Sequence, residues 1–459
     1  MSARSARSKK KRATLSLEED PVIKKGEHFM VLLECPNVTT VEVAAEVLEE
    51  KLFNVPNPML KDKKGILPVL APRLAETAKE VLERAKETSK KRGKKRGGRS
   101  RETPKNVSFT LYYVHYHSRD RRMDRWLPSW KFIKRIPSET ANLPTGPVRT
   151  RSKTRFAQEF SHEPKDPKSM SAKDASIEKE WQELTKIKLV EAVRFSKHII
   201  ETWYYSPYPE IYTQNGIILI CEFCLLYTFD IVEFHCHKGK ACKKRKPPGT
   251  EIYRKDKLTV FKVNGHEDKF YCRSLCLLGK LFLDHKSLLY EVDKFIFYVL
   301  CETHGDGSEH PVGFFSKESA IPENNLACIM ILPPHQCKGY GSFLVQLSYE
   351  LSLRDGVIAG PEYPLSDTGR TLYRKYWTTA LGLLFRKIGL NNPISVKQLS
   401  KLTGYRDFDI SYVIDVWKLV DSQCVETRKD GDVTVVVLKH ALSPGKRPRI
   451  IMDYNLLRT

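Results

Sequence analysis

The chain has no apolar run of 18 residues and no signal-like apolar segment near residue 1. The first absence excludes a helical membrane span, and the second predicts a protein that is not secreted. Acid is scarce: 55 Asp and Glu face 78 Lys and Arg, a formal net charge of +23. That imbalance predicts an acidic partner, most simply nucleic acid or nucleosomes, while basic tails on a soluble protein account for part of it. A disulfide framework is missing as well. Eleven cysteines, an odd number spread over 459 residues, suit metal or thiol chemistry in a reducing compartment. The chain also lacks both familiar nucleotide fingerprints. Its glycine turn at 336–341 has neither the third glycine of a dinucleotide motif nor the GK[ST] of a P-loop.

At this length two or three domains are expected. Residues 1–25 read as a disordered basic tail whose KKKR is either an import signal or merely solvated. Residues 26–136 read as a small β module. It opens with FMVLLEC and TTVEVAAEVLEE, the second readable as strand or helix, and carries an insertion at about 52–105 that ends KKRGKKRGGRSR. In VSFTLYYVHYHSRDRRMDRWLPSWKFI (107–133), cations interleave with Tyr112, Tyr113, Tyr116, Trp126 and Trp130. Such aromatics stack on bases, cage a methyl-lysine or fill a small barrel, and the basic insertion favours nucleic acid over a cage. Residues 137–178, rich in Pro, Ser, Lys and Arg, read as a linker.

Cys221 and Cys224 form a C-x-x-C knuckle, with His237 and Cys242 following. Three thiolates and an imidazole make a closed tetrahedral structural zinc site. Farther on, an apolar run at 327–332 is stopped by Pro333-Pro334, and a turn bearing Gly339 and Gly341 leads into helical spacing at 343–353. A strand feeding a glycine turn that opens a helix is a phosphate-binding arrangement, since backbone N–H groups point at the anion.

CIMILP followed by Q-x-K-G-Y-G resembles the acetyl-CoA loop of the MYST family of histone (lysine) acetyltransferases. The resemblance continues through TWYYSPYPE, ICEFCL, EIYRKD, LCLLGKLFLDHKSLLYEV, FYVL, VGFFSKE and GPEYPLSDTGR, covering roughly 185–425. YYVHY with RRMDRW also resembles the chromo-barrel module found before many MYST catalytic domains, with Arg125 where that module usually has an acid. The resemblance implies an α+β chain: a chromo-barrel-like N-terminal module, then a GNAT-like mixed-sheet acetyltransferase core at 179–440, then a tail at 441–459. Within that core it implies a C2HC zinc finger at about 217–245, the acetyl-CoA core at about 250–380 and a winged-helix-like lobe at about 390–440. The family leaves three residues between its last two zinc ligands, whereas four separate His237 from Cys242, so His235 and Cys236 stay open as substitutes.

By the same resemblance Glu362, in a loop stiffened by Pro361 and Pro364, is the general base that makes a lysine amine nucleophilic. Cys328 matches the active-site cysteine, which is either a covalent acetyl carrier or a small apolar filler. Direct attack is the favoured route. Ile329, Met330 and Ile331 are expected along the acetyl-pantetheine arm, and Gln336, Cys337, Lys338, Gly339, Tyr340, Gly341 and Ser342 around the pyrophosphate. Ser366 matches a cofactor contact and also reads as a helix N-cap. Two positions depart from the family: Cys337 stands where Arg is common, and Lys375 where a cofactor-contacting Ser is common. Lys286 matches the self-acetylated lysine. These residues imply a nuclear, chromatin-regulating acyltransferase that uses acetyl-CoA and structural Zn²⁺. Expected partners are histones or nucleosomes, nucleic acid at the basic N-terminal region, subunits of a chromatin-modifying complex, and no membrane. The competing reading is a catalytically degenerate chromatin or RNA reader on the same fold.

Overall fold

The computed structural model describes residues 22–33, 41–61, 69–92, 104–117, 119–138, 185, 187–209, 215–283, 291–430, 433–440 and 450–458. Tertiary contacts divide the chain into two units: Met1–Pro68 with Glu76–Val148, and Val69–Ala75 with Arg149–Thr459.

In the first unit, β1 (His28–Leu33), β2 (Val41–Pro56), β3 (Asn106–Tyr116), β4 (Arg125–Pro128) and β5 (Phe132–Ile136) form one antiparallel sheet in the order β4-β3-β2-β1-β5. The run that read equally as helix or strand is strand. Val43, Ala45 and Val47 alternate inward onto Phe29, Val31 and Leu33, a two-residue period that a helix cannot bury. β2 runs on to Pro56, pairing Phe53 with Phe109 and Val55 with Val107, so the segment read as an insertion from about 52 begins as paired strand. That segment also holds a helix, α1 (Pro72–Arg92). Tyr113 and Tyr116 are buried filling. Trp126 packs edge-on against Tyr113 and Phe53. Trp130 donates to Glu80 at 3.1 Å and lies 4.3 Å beneath the Arg84 guanidinium. One face of that indole is therefore already occupied by a cation of the chain itself.

The second unit begins with β6 (Ala192–Phe195), β7 (His198–Glu201), β8 (Ile217–Ile220) and β9 (Tyr227–Thr228), ordered β7-β6-β8-β9. A short helix α2 (Ile231–Cys236) follows. The central sheet joins β10 (Thr250–Lys255), β11 (Leu258–Asn264), β12 (Phe295–Thr303), β13 (Glu309–Glu318) and β15 (Cys328–Ile331), every pairing antiparallel. The parallel component lies alongside it, where β14 (Asn324–Leu326) pairs with β16 (Gly360–Pro361).

Strand alternation gives this sheet two cores. Phe261, Val263, Phe297, Val299 and Phe314 pack under α3 (Lys269–Lys280), which buries Tyr271, Cys272, Leu275 and Leu278. Val260, Tyr298, Leu300 and Phe315 face α4 (Tyr340–Arg354) and α5 (Asp367–Ile388).

The last lobe has β17 (Ile394–Ser395), α6 (Val396–Thr403), α7 (Asp407–Val420), β18 (Val425–Asp430) and β19 (Val433–Leu438). Ser395 and Gln398 make a reciprocal capping box on α6, and Gly404 ends it at φ 73°. Residues 450–458, read as tail, pack on the core. Met452 and Leu457 are buried, Leu457 bridges to Tyr253, and Arg354 donates to the Tyr454 and Leu457 carbonyls at 2.6 and 2.9 Å. Of the five apolar side chains in these nine residues only Met452 and Leu457 are buried, and five residues apart they carry no period, which hid that docking from the sequence. Among the described residues no helix is long and apolar enough to cross a membrane. Most of the N-terminal tail, most of the linker, most of the basic run at 90–101 and Lys286 lie outside the described residues, while Ile23, read as part of the tail, is buried in the core of the first unit.

Candidate active site and metal centre

Cys221 leaves β8 into a tight knuckle. Leu225 takes φ 60°, its N–H bonds to the Cys221 carbonyl at 2.9 Å, and the Cys221 N–H bonds to the Leu226 carbonyl at 2.9 Å. That turn brings Cys224 round beside Cys221. Asp230 caps α2 by accepting from the Val232 and Glu233 N–H groups, which fixes where His237 emerges. The helix then widens into a π turn, His237–Ala241, closed by Cys242 N–H to the His237 carbonyl at 2.7 Å. The extra residue between the last two ligands is absorbed there, because an i→i+5 bond takes up one residue more than an α turn.

The donor atoms of Cys221, Cys224, His237 and Cys242 all lie within 4.8 Å of one another. Cys224 Sγ is 3.2 Å from His237 Nε2, and Cys221 Sγ 3.8 Å from Cys242 Sγ. His235 and Cys236 are exposed and stand outside this group. A hydrogen bond to Cys224 and burial hold the Cys221 thiol above its ordinary range, and the same bond holds Cys224 below it. Three thiols and an imidazole converging on one point, one of them fully buried, fit a tetrahedral Zn²⁺.

On β15, Met330 faces the α3 core, while Ile329 and Ile331 lie on the α4 side and are only partly buried. Cys328 is half-buried at the start of the strand. Past the two prolines, Gln336 Nε2 returns to the Ile331 carbonyl at 2.9 Å. Gly339 takes φ 104° and Cys337 φ 61°, so a side-chain-bearing residue holds a left-handed conformation within this turn. α4 starts immediately, and the N–H groups of Tyr340, Gly341 and Ser342 have no intrahelical acceptor by position. Lys338 is exposed at the turn. Tyr340, read as a cofactor contact, turns its side chain inward and donates its hydroxyl to Glu302. His335 Nδ1 lies 3.5 Å from the same carboxylate. Burial pushes the Glu302 carboxyl up, but Tyr340, His335 and Lys338 outweigh it and leave it below its usual value.

Ser366 caps α5, accepting from Gly369 N–H at 3.1 Å. Leu372 comes within 3.3 Å of where a Cβ on Gly341 would sit, and Lys375 is exposed one turn beyond Leu372. A cleft of about 840 Å³ shares Tyr340 and Glu302 with this region, but neither Cys328 nor Glu362 lines it.

Glu362 is exposed directly after β16. Its N–H bonds to the Leu326 carbonyl at 2.9 Å, which ties the loop to the chain two residues before Cys328. The loop meets α7 as well. Arg406 Nη2 donates to the Pro361 carbonyl at 2.6 Å, and Tyr363 donates to Asp409 Oδ1 at 2.7 Å. Burial pushes the Asp409 carboxyl up and Arg406 pulls it part of the way back. An ideal Cβ on Gly360 would lie 2.5 Å from the Arg406 guanidinium and 2.6 Å from Asp409 Oδ2, so this close approach requires glycine. Sequence reading missed Tyr363, Arg406 and Asp409, and no spacing marks them.

The family model for the MOZ/SAS family matches residues 246–446, and the one for the MYST family zinc finger domain matches 187–242. A third, described as an RNA binding activity-knot of a chromodomain, matches 74–132. "Histone acetyltransferase of the MYST family 2" of Arabidopsis thaliana is 41% identical over 315 residues, 67% of this chain and 69% of that protein. The chain belongs to the MYST family. "Histone acetyltransferase MOF" of Drosophila melanogaster is 42% identical over 318 residues, 67% of this MYST chain but 37% of the fly protein. "Histone acetyltransferase esa-1" of Neurospora crassa is 47% identical over 197 residues, 43% of this chain and 38% of that one.

Proposed function

We propose that the chain transfers the acetyl group of acetyl-CoA to the ε-amine of lysines in histone tails, with Glu362 as general base. The names of its relatives support the activity and the substrate class. The observation that carries the mechanism is the Glu362–Leu326 bond. It sets a carboxylate-bearing loop beside the strand that begins at Cys328 and runs into the glycine turn.

A lysine amine has a pKa of about 10.4 and is nearly all protonated at neutral pH. Glu362 accepts its proton, the amine attacks the thioester carbonyl, and the C–S bond breaks to release CoA as a thiolate that is then protonated. Ile329, Ile331 and the backbone of Met330 line the acetyl end, with Cys328 as lining there. The N–H groups at the start of α4, with Lys338, suit the pyrophosphate, and Ser366 and Lys375 flank them on α5. Zn²⁺ on Cys221, Cys224, His237 and Cys242 staples the finger and takes no part in acetyl transfer.

The domain scheme follows: a chromo-barrel-like module at 26–136 engaging nucleic acid through its basic segment, and an acetyltransferase domain at 179–440 with its finger, core and winged-helix-like lobe. A histone substrate implies a protein of the nucleus, at chromatin, working with further subunits. Lys286 is proposed as its self-acetylation site. The test is labelled acetyl transfer to core histones by wild type and by Glu362→Gln. Equal incorporation by the two removes Glu362 from the mechanism, and none by either favours a reader without activity.

A further inference from the structure

The loop of Glu362 is gripped on both sides by one pair of side chains at the start of α7. The residue before it, Pro361, gives its carbonyl to Arg406 Nη2 at 2.6 Å. The residue after it, Tyr363, gives its hydroxyl proton to Asp409 Oδ1 at 2.7 Å. Arg406 Nε and Asp409 Oδ2 close the circuit at 3.1 Å. With the Glu362 N–H fixed on Leu326, three successive residues are tied down.

The pair is built for precision. The Asp409 side chain has no solvent exposure, and each of its oxygens has a partner, one neutral and one cationic. A buried carboxylate with less would be costly to keep. The guanidinium is also pressed on the Phe408 ring at 4.5 Å and lies 5.3 Å from Tyr363, which confines it to one plane. A pair serving only to dock one lobe on another has no reason to bond both neighbours of a single residue.

We propose that Arg406 and Asp409 are positioning residues that set where the Glu362 carboxylate meets the incoming amine. The proposal rests on Glu362 being the base. A base displaced by about 1 Å loses rate by up to about a hundredfold while substrate binding is little changed.

The experiment uses the full chain with acetyl-CoA and a histone-tail peptide bearing one lysine, followed from neutral pH to beyond pH 9. Tyr363→Phe removes one hydroxyl, and Arg406→Lys keeps the charge but loses the fork that reaches both acceptors. Each is also made on Glu362→Gln. Expected for each single variant is a loss in kcat of about tenfold at neutral pH with KM for both substrates near wild type. The loss should narrow at high pH, where the amine needs no base, and vanish in the Glu362→Gln background. Unchanged kcat, an equal loss at every pH, or the same loss on Glu362→Gln overturns the proposal and leaves the pair a structural contact. If Glu362→Gln is itself as active as wild type, the base assignment fails. If it is inactive and Tyr363→Phe is not, only the positioning role fails.

Discussion

The zinc centre and the Glu362 loop hold their working groups by opposite means. Four donors drawn from positions 221 to 242 converge through a knuckle and one distorted helix, all local. Glu362 is placed by partners far along the chain: Leu326 before it, and Arg406 and Asp409 more than forty residues after it. The first arrangement concentrates its energy in metal–ligand bonds, so each donor matters greatly. The second spreads it over ordinary hydrogen bonds of about 1 kcal/mol each, or up to about 3 kcal/mol where a charge takes part. Local placement by strong bonds survives a change of surroundings. Remote placement by weak bonds is tunable.

That contrast is most exposed to attack at the metal. Cys221→Ser should release the ion and melt the second unit far below wild type, since structural zinc in fingers contributes about 10 kcal/mol or more. Metal content with a thermal melt checks it, and full occupancy with an unshifted melt would contradict the assignment. His237→Ala should lose the ion likewise while His235→Ala keeps it, because only the former imidazole meets the thiols.

Next comes Glu362→Gln, with kcat down about 10²- to 10⁴-fold at neutral pH and an unchanged melt. Activity should return in part as pH rises toward the amine's own pKa, and a flat pH profile would sink the base. Gly360→Ala is milder. Its Cβ must push Arg406 and Asp409 aside, costing about 1–3 kcal/mol of stability as well as rate, read by melting and kcat together. If it costs nothing, the remote clamp is slack and the contrast dissolves.

The smallest effect should be Cys328→Ala, which trims a half-buried thiol and should cost less than about tenfold in kcat. A folded variant that binds acetyl-CoA yet transfers nothing, with a trapped acetyl-thioester in wild type, would instead establish a covalent route.

Legibility follows the same division. Cysteine and histidine are chemically distinctive, so a metal site on the Cys221–Cys224 knuckle is legible in the sequence, but His235 and Cys236 stay open beside His237 and Cys242 until the π turn is seen. The strand–turn–helix at 328–354 showed in its prolines, glycines and apolar period. Tyr340 is read for its backbone N–H at the glycine turn, whereas the inward course of its side chain depends on Glu302, a partner 38 residues earlier that no local pattern reveals. Arg406 and Asp409 draw no reading from the sequence, since they stand at the cap and in the first turn of α7 like the charged start of any helix. Their meaning comes only from what the fold sets opposite them. The docking of residues 450–458 is hidden because Met452 and Leu457 have a place only once β10 and α4 exist. The grip on Trp130 was equally hidden, since α1 lies within a stretch that read only as insertion.

The wide turn between His237 and Cys242 has a consequence for how such fingers drift. In an α-helix, one added residue moves everything beyond it by about 1.5 Å and swings it by about 100°. A metal site would not survive that. Here the backbone takes up the slack in a single loop, and Cys242 still arrives at the ion's position. The length of this segment is therefore free to vary by one without any ligand changing identity.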